Sequence, residues 1–457
     1  MQQLQKIYIK NFGPVAEANI DINKVMVFIG PQASGKSTIS KSIYLFKSLK
    51  DDLIRYIIET VEKENPVANI SETTTVFKKI IRAKFVSFWG TTKYLEQFEL
   101  SYNYNNRKKI SFNLDNQGYV KAILSSDFQE KLNTILEQTQ NFIIKQKNNN
   151  KSFASVAELL AMDSEKKNFY RTIEQECNQL FEDDKLSLYI PAGRSALATL
   201  SDPIQKLILT KISDNISANQ DTVNPYLLDY TLKAFIERIN NLKTSFLSDY
   251  DTIIRDKVNF TNESVDYDSL HAATSIFDNI LKGRYRYDKD GEKIFLNNSD
   301  RFVKLSFASS GQQEVVWILL QIFMLILNKT RTHFFIEEPE AHLFPVAQKD
   351  VVELFCLFAN LLDNQMLITT HSPYILSALN NFMYAGKLGK TQAAEVSKII
   401  NKKTWLKPGQ VVAYYVENGK LTNIIDDELQ LIKAEMIDQA SGLVNQEFNQ
   451  LFELDLL

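Results

Sequence analysis

Apolar and polar residues alternate over residues 4 to 12, and a largely apolar run covers 18 to 29, closing with Val25 to Ile29 directly before Gly30. A period of two marks a half-buried strand, and a short apolar run ending at a turn residue marks a buried one. The helical stretch Thr38 to Leu45 follows, so the chain opens as strand, glycine-containing loop and helix. From about residue 50 to 300 the pattern changes: helical periodicity over 125 to 182 and 203 to 249 is mixed with strand-like runs at Phe98 to Tyr102 and Lys109 to Phe112. Within it, Lys145 to Ser152 (KQKNNNKS) is too polar to bury surface and predicts a loop tip. Beyond residue 300 the pattern predicts a helix from about Gly311 to Leu327, a strand Phe334 to Ile336, a helix near 346 to 362 and a strand Met366 to Thr369. The tail from Ala394 predicts a hairpin, Val411 to Val416 turning at Asn418-Gly419, then an amphipathic helix from about 426 to 453.

Alternating strands and helices at both ends of a long mixed stretch predict an α/β fold with a mixed sheet and a mainly helical insertion. The expected division is 1–48, the insertion 49–300, 301–390 where the α/β pattern resumes, and 391–457 for the hairpin and last helix. A chain of 457 residues with 44% hydrophobic content exceeds the usual size of one core. Its net charge of −3 supplies no global basic field, so any nucleic-acid contact would come from local patches. Cys177 and Cys356 lie far apart with no CxxC pair, which points away from a disulfide framework or a zinc site. The first residues lack a basic patch leading into an apolar run, and no segment reaches about 18 uncharged apolar residues, so neither a signal peptide nor a membrane span is expected. The expected location is the cytoplasm.

The chemistry concentrates at four places. Gly30-Pro31-Gln32-Ala33-Ser34-Gly35-Lys36-Ser37 fits GxxxxGK[ST] between a strand and a helix that continues with Thr38. Such a loop turns backbone N–H groups inward around phosphate oxygens, and the helix N-terminus adds its positive end. Lys36 would neutralise the β and γ phosphates of ATP or GTP and Ser37 would ligate Mg²⁺. Phe334-Phe-Ile-Glu337-Glu338 reads as a buried strand ending in two acids: Glu337 would organise Mg²⁺ and Glu338 would orient and deprotonate the attacking water. Ser309-Ser310-Gly311-Gln312-Gln313 precedes a strongly apolar helix and predicts a second phosphate-binding helix terminus. Thr369-Thr-His371-Ser-Pro follows the next strand. The other histidines, His271, His333 and His342, lack a second ligand at metal-binding spacing.

Taken together these motifs resemble the ABC ATPase superfamily, in which a signature close to LSGGQ from one subunit closes over the γ-phosphate held by the other. Ala308 to Gln312 occupy those positions here, and His371 matches the switch histidine that senses the γ-phosphate. The fold implied is an ABC-type nucleotide-binding domain. More narrowly, SSGQQE, EEPEAHLFP and TTHSPYIL resemble the OLD-like and AAA-15/AAA-21 type ATPases, relatives of SMC and RecF, within residues 1 to 48 and 300 to 385. Glu337 stands where most ABC proteins have aspartate, and Phe344 where many OLD-like proteins have a second histidine. Tyr189-Ile-Pro-Ala-Gly-Arg194-Ser195 resembles a segment of this clan near the nucleotide, which makes Arg194 a candidate nucleotide contact; a strand end with a surface arginine reads equally from the residues.

The resemblance implies an ATPase that works as a homodimer, or a higher oligomer of it, closing around two nucleotides. Asp426-Asp-Glu428 is too small an acid set for a two-metal nuclease site, so an effector would be a separate protein, nuclease or toxin, as in bacterial anti-phage systems such as PARIS or Septu. The alternative is a RecF/SMC-like, ATP-dependent DNA-binding repair protein.

Overall fold

The computed structural model describes residues 5–63, 70–90, 95–149, 156–199, 230–261, 264–297 and 299–433. The first strands are β1 (Lys6–Phe12), β2 (Val15–Asp21) and β3 (Val25–Ile29), so the apolar run expected over 18 to 29 is two strands parted by a turn. β4 (Glu99–Asn103), β5 (Lys109–Leu114) and β6 (Val120–Leu124) join the first hairpin in an antiparallel sheet ordered β2-β1-β4-β5-β6. β3 instead enters a second sheet. That sheet takes β7 (Leu186–Ile190), β11 (Thr332–Glu337), β12 (Gln365–Thr370), β13 (Val411–Glu417) and β14 (Lys420–Asn423), in the order β14-β13-β3-β12-β11-β7. Between β7 and β11 in the chain lie β8 (Gly283–Asp288), β9 (Gly291–Leu296) and β10 (Phe302–Lys304), a small antiparallel sheet.

The six-stranded sheet is parallel from β13 to β7, and only β14 runs antiparallel at its edge. Parallel strands are covered on both faces, and β3 (VMVFI) and β11 (THFFIE) are buried along their whole length, as such strands require. Alternate residues of β3 go to opposite sides. Val25, Val27 and Ile29 pack in one core with the helices Tyr267–Leu281, Ser310–Leu327, Pro345–Asn360 and Pro373–Leu388. Met26 and Phe28 pack in the other, with the helix Lys36–Glu62 and the antiparallel sheet. The result is a mixed α/β molecule with a mixed sheet at its centre.

Residue 48 falls inside the helix Lys36–Glu62, and the stretch 49–300 supplies β7 to the central sheet as well as β4, β5 and β6 to the antiparallel one. Non-local pairing of this kind leaves no local trace in the sequence. The same stretch carries an antiparallel-sheet face and two long helices, Ser126–Asn149 and Val156–Phe181, joined by ring stacking of Phe142 on Phe169 at 4.0 Å. Where a loop is expected from Lys145, residues up to Asn149 belong to the first of these helices instead; residues 150–152 lie outside the described residues. The helical expectation over 203 to 249 is met from Tyr230–Lys243, and its earlier part, 203–229, lies outside them too.

Two further corrections concern the C-terminal part. The hairpin turns at Asn418 (φ 51°) and Gly419 (φ 72°), the geometry of a two-residue type I′ turn, but it is no separate unit. β13 lies parallel to β3, with Val411 opposite Val25 and Tyr415 opposite Ile29. The helix expected from residue 426 is replaced over 426–433 by a turn closed by the Ile425–Ile432 bridge, and residues 434–457 lie outside the described residues. Asp426 accepts from the N–H groups of Glu428 and Leu429, which ties the chain into that turn.

The helix Ser310–Leu327 is the one described helix long and apolar enough to cross a membrane, and 83% of it is buried inside the molecule. From Val315 on it is apolar on nearly every side because helices and the parallel sheet surround it.

Candidate functional site

Three consecutive neighbours in the parallel sheet bring the motifs together. Ile29 lies opposite Thr370, and Thr369 opposite Glu337, so the chain leaves β3, β12 and β11 at one edge, within about 10 Å across two strand spacings. The phosphate loop, His371 and the two glutamates therefore share the carboxyl edge of the sheet, where ligands of parallel α/β sheets bind.

The loop departs from β3 at Gly30 and passes Pro31, Gln32 and Ala33, all exposed, before Ser34, Gly35 and Lys36 turn inward. Ala33 (φ 58°) and Gly35 (φ 110°) take left-handed backbone, the alternation that gathers N–H groups into an anion-binding nest. Gly35 is required there, since a side chain at that φ is strained and its Cβ would stand 3.0 Å from Val15. The Lys36 ammonium donates to the carbonyls of Gly30 (2.9 Å) and Pro31 (2.7 Å). Burial lowers its pKa, opposed by the charges of Glu338 and Glu340. Phosphate oxygens brought to this ammonium would offset that burial, so the loop fits an ATP phosphate chain. Ser37 is exposed and Thr38 half-buried at the start of the helix.

Glu337 is buried, its carboxylate accepting from the Tyr189 hydroxyl (2.8 Å) and the Ala192 N–H (3.2 Å). Each oxygen keeps a lone pair. With the Ser37 hydroxyl, Glu337 is therefore the residue that would hold Mg²⁺ beside the phosphates, which supply the remaining oxygen ligands. Glu338 is half-exposed, in left-handed backbone at φ 43°, and its carboxylate lies 3.4 Å from Nε2 of His371. A carboxylate and an imidazole at this separation can share an attacking water between them.

Glu340 holds the histidine in place, a role that sequence reasoning missed. Its Oε1 accepts from the Thr370 hydroxyl (2.8 Å) and the His371 N–H (2.7 Å), and Thr370 in turn accepts from the Ser372 N–H. The signal was present in the EEPE run, whose third acid follows Glu337 and Glu338 by one proline.

Ser309 caps the helix Ser310–Leu327 in a capping box: its hydroxyl accepts from the Gln312 N–H, and the Gln312 side chain accepts from the Ser309 N–H at 3.1 Å. Gln312 also donates to the Leu281 carbonyl at 2.7 Å. Ser309 and Ser310 are exposed, while Gly311 is buried against the loop after the acids, where an added Cβ would lie 2.6 Å from the His342 carbonyl oxygen. Gly311 thus permits the close contact between signature helix and acidic loop.

Arg194 differs from its expected part as a nucleotide contact. It is wholly buried, and its guanidinium donates to the carbonyls of Pro191, Glu337, Glu338 and Glu314. These bonds make it a support of the acidic strand end. Its ion-pair partner Glu314, on the signature helix, was not singled out from the sequence. His271 and His342 are exposed, and His333 is buried at the opposite end of β11, paired with Asp183. Among the described residues no cluster of three or more His, Cys, Asp or Glu could hold a metal by itself.

Comparison with known proteins gives a family and distant structural likenesses. No curated protein matches the chain. The SMC head domain from Thermotoga maritima is 12% identical, covering 93% of this chain and 98% of that one, with a TM-score of 0.33. The Smc head domain with an extended coiled coil, bound to the C-terminal domain of ScpA and derived from Pyrococcus furiosus, is 11% identical over 98% of this chain and 99% of that one, with a TM-score of 0.38. The recombination mediator protein RecF, as RecF-ATPrS in the RecFOR pathway, is 10% identical over 93% of this chain and 99% of that one, with a TM-score of 0.34. The family described as AAA ATPase domain, AAA_15, matches residues 3–376, most of the chain and all four motifs. With the phosphate loop, acidic strand end and histidine assembled at one sheet edge, this chain belongs to the AAA ATPase domain family and is an ATP-binding ATPase.

Proposed function

We propose that the protein hydrolyses ATP with Mg²⁺ as a homodimer closed around two nucleotides, and that it serves as the sensor and scaffold of a bacterial anti-phage system controlling a separate nuclease or toxin. The observation that carries the hydrolytic reading is the Glu338–His371 pair, 3.4 Å apart at the sheet edge that also bears the Lys36 loop. Lys36 binds and neutralises the phosphate chain, while Ser37 and Glu337 would hold Mg²⁺, which when bound would supply charge neutralisation at the phosphates. Glu338 takes the proton of the attacking water, and His371, seated by Glu340, contacts the γ-phosphate.

The dimer reading rests on Ser309 and Ser310, exposed at a capped helix N-terminus built for an anion. A nucleotide on a second copy would meet that terminus. The defence reading rests on the motif resemblance alone.

Phosphate release by the purified chain, with Mg²⁺ and with a chelator, tests the enzyme; equal release in both would reject the metal's part. Purification of the tagged protein with its native gene neighbourhood and ATP tests the scaffold. A stoichiometric nuclease- or toxin-like companion is the expected result, whereas a lone dimer carrying DNA would favour the repair alternative.

A further inference from the structure

The left-handed backbone at Glu338 needs something to hold it, and the structure supplies one buried group. Arg194 spans the space between β7 and the signature helix with no solvent exposure. Its Nη1 donates to the carbonyls of Pro191 (2.8 Å) and Glu337 (2.7 Å), its Nη2 to that of Glu338 (2.9 Å), and its Nε to that of Glu314 (3.0 Å). The peptide on either side of Glu338 is thus fixed by one rigid fork, with the Glu338 N–H bonded to Thr369 at 2.9 Å. Residues in sparsely populated backbone conformations persist where their surroundings over-determine them.

The fork is itself held. The Glu314 carboxylate lies 3.1 Å from Nε of Arg194 and accepts from the N–H groups of Arg194 (3.1 Å) and Ser195 (3.0 Å). Glu314 stands on the helix that begins at Ser310, within the first turns behind the exposed Ser309 and Ser310. Gly311 on the same turns abuts the His342 carbonyl of the loop that follows Glu338. Any shift of this helix end moves Glu314, and with it the group that fixes the Glu338 peptide.

We propose that Arg194 and Glu314 are a positioning pair through which the seating of the signature helix sets the geometry of Glu338 in the same chain. Both residues are buried, with no surface open to a nucleotide. Closure over a partner's nucleotide, by seating the helix, then completes the catalytic geometry of the chain that supplies the helix, which links the two sites of a dimer. This inference rests on the ATPase reading above.

The test uses the full chain with Glu314→Gln, which keeps an oxygen for an N–H donor but removes the charge, and Arg194→Lys, which keeps the charge but removes the fork. Steady-state phosphate release, binding of a fluorescent ATP analogue and thermal melting are measured on both. The expected result is kcat lowered about tenfold or more with KM and analogue affinity within about twofold, the split that marks loss of transition-state geometry alone. Arg194→Lys leaves no lone buried carboxylate and serves if Glu314→Gln melts below the assay temperature. A folded variant with parental kcat, or one whose analogue affinity falls as far as its kcat, overturns the proposal. If Glu338→Gln retains the parental rate, the ATPase reading fails instead, which separates the two failures.

Discussion

Lys36 shows how much of this site depends on single side chains. Among the described residues its ammonium donates to loop carbonyls and the Ser34 hydroxyl rather than to a carboxylate, so an incoming phosphate chain meets a buried cation at low cost. Lys36→Ala should weaken binding of a fluorescent ATP analogue by about 2 to 3 kcal/mol, roughly 30- to 150-fold. An unchanged dissociation constant would remove the loop from nucleotide binding. At the far end of β11, His333, Asp183 and Lys47 form a buried group that the enzyme chemistry does not use. Burial lowers the His333 pKa from 6.5 to about 4, against the pull of Asp183. Asp183 lies well below the usual carboxylate range: burial opposes this, but His333 and Lys47 outweigh it. For both groups the unfolded chain binds protons that the folded one refuses, so stability rises with pH. The histidine contribution is complete above about pH 6.5 and is lost as pH falls toward 4. Melting temperature followed from pH 7 to 4 should fall less steeply in His333→Gln than in the parent. Identical slopes would contradict that assignment.

At the scale of elements, Gly311 decides how the signature helix meets the acidic loop. Gly311→Ala would place a methyl 2.6 Å from a backbone carbonyl oxygen, which cannot swing away as a side chain would. The expected cost is about 1–3 kcal/mol in urea unfolding, with a larger fractional loss of phosphate release. Neutral behaviour in both would mean that the helix and loop are not tightly docked. Gly311 was legible in the sequence because its motif is contiguous. So were β3, β11 and β12, whose short apolar stretches fit strands buried on both faces. β13 was legible as a hairpin strand, since alternation and Asn418-Gly419 are local signals, but its place beside β3 is a non-local pairing. The same limit hid β7 in a stretch that reads as insertion. Within the site, Lys36, Glu338 and His371 each sit in a short pattern tied to one chemistry, whereas Glu314 and Glu340 act by contacts that only the fold creates. Arg194 stands in a segment whose resemblance implies a nucleotide contact, but it is fully buried and bonds the backbone of Glu337 and Glu338 instead.

For the whole molecule, the proposed dimer would build each nucleotide site from two copies of the chain. In that dimer the loop around Lys36 and the exposed, capped terminus at Ser309 would both meet phosphate, and closure of two copies would pair each loop with the other's terminus. Ser309→Arg should leave binding to the Lys36 loop within about twofold while abolishing nucleotide-dependent association, because a long cation at the exposed cap props the faces apart. Association at the parental level would place the interface elsewhere. The most direct test is the mass of Glu338→Gln in solution by light scattering, with and without Mg²⁺ and ATP, alongside its phosphate release. The account predicts a nucleotide-dependent shift to two protomers retaining ATP, with release at least about 100-fold below the parent. A variant that stays monomeric with ATP, or releases phosphate at the parental rate, would contradict it.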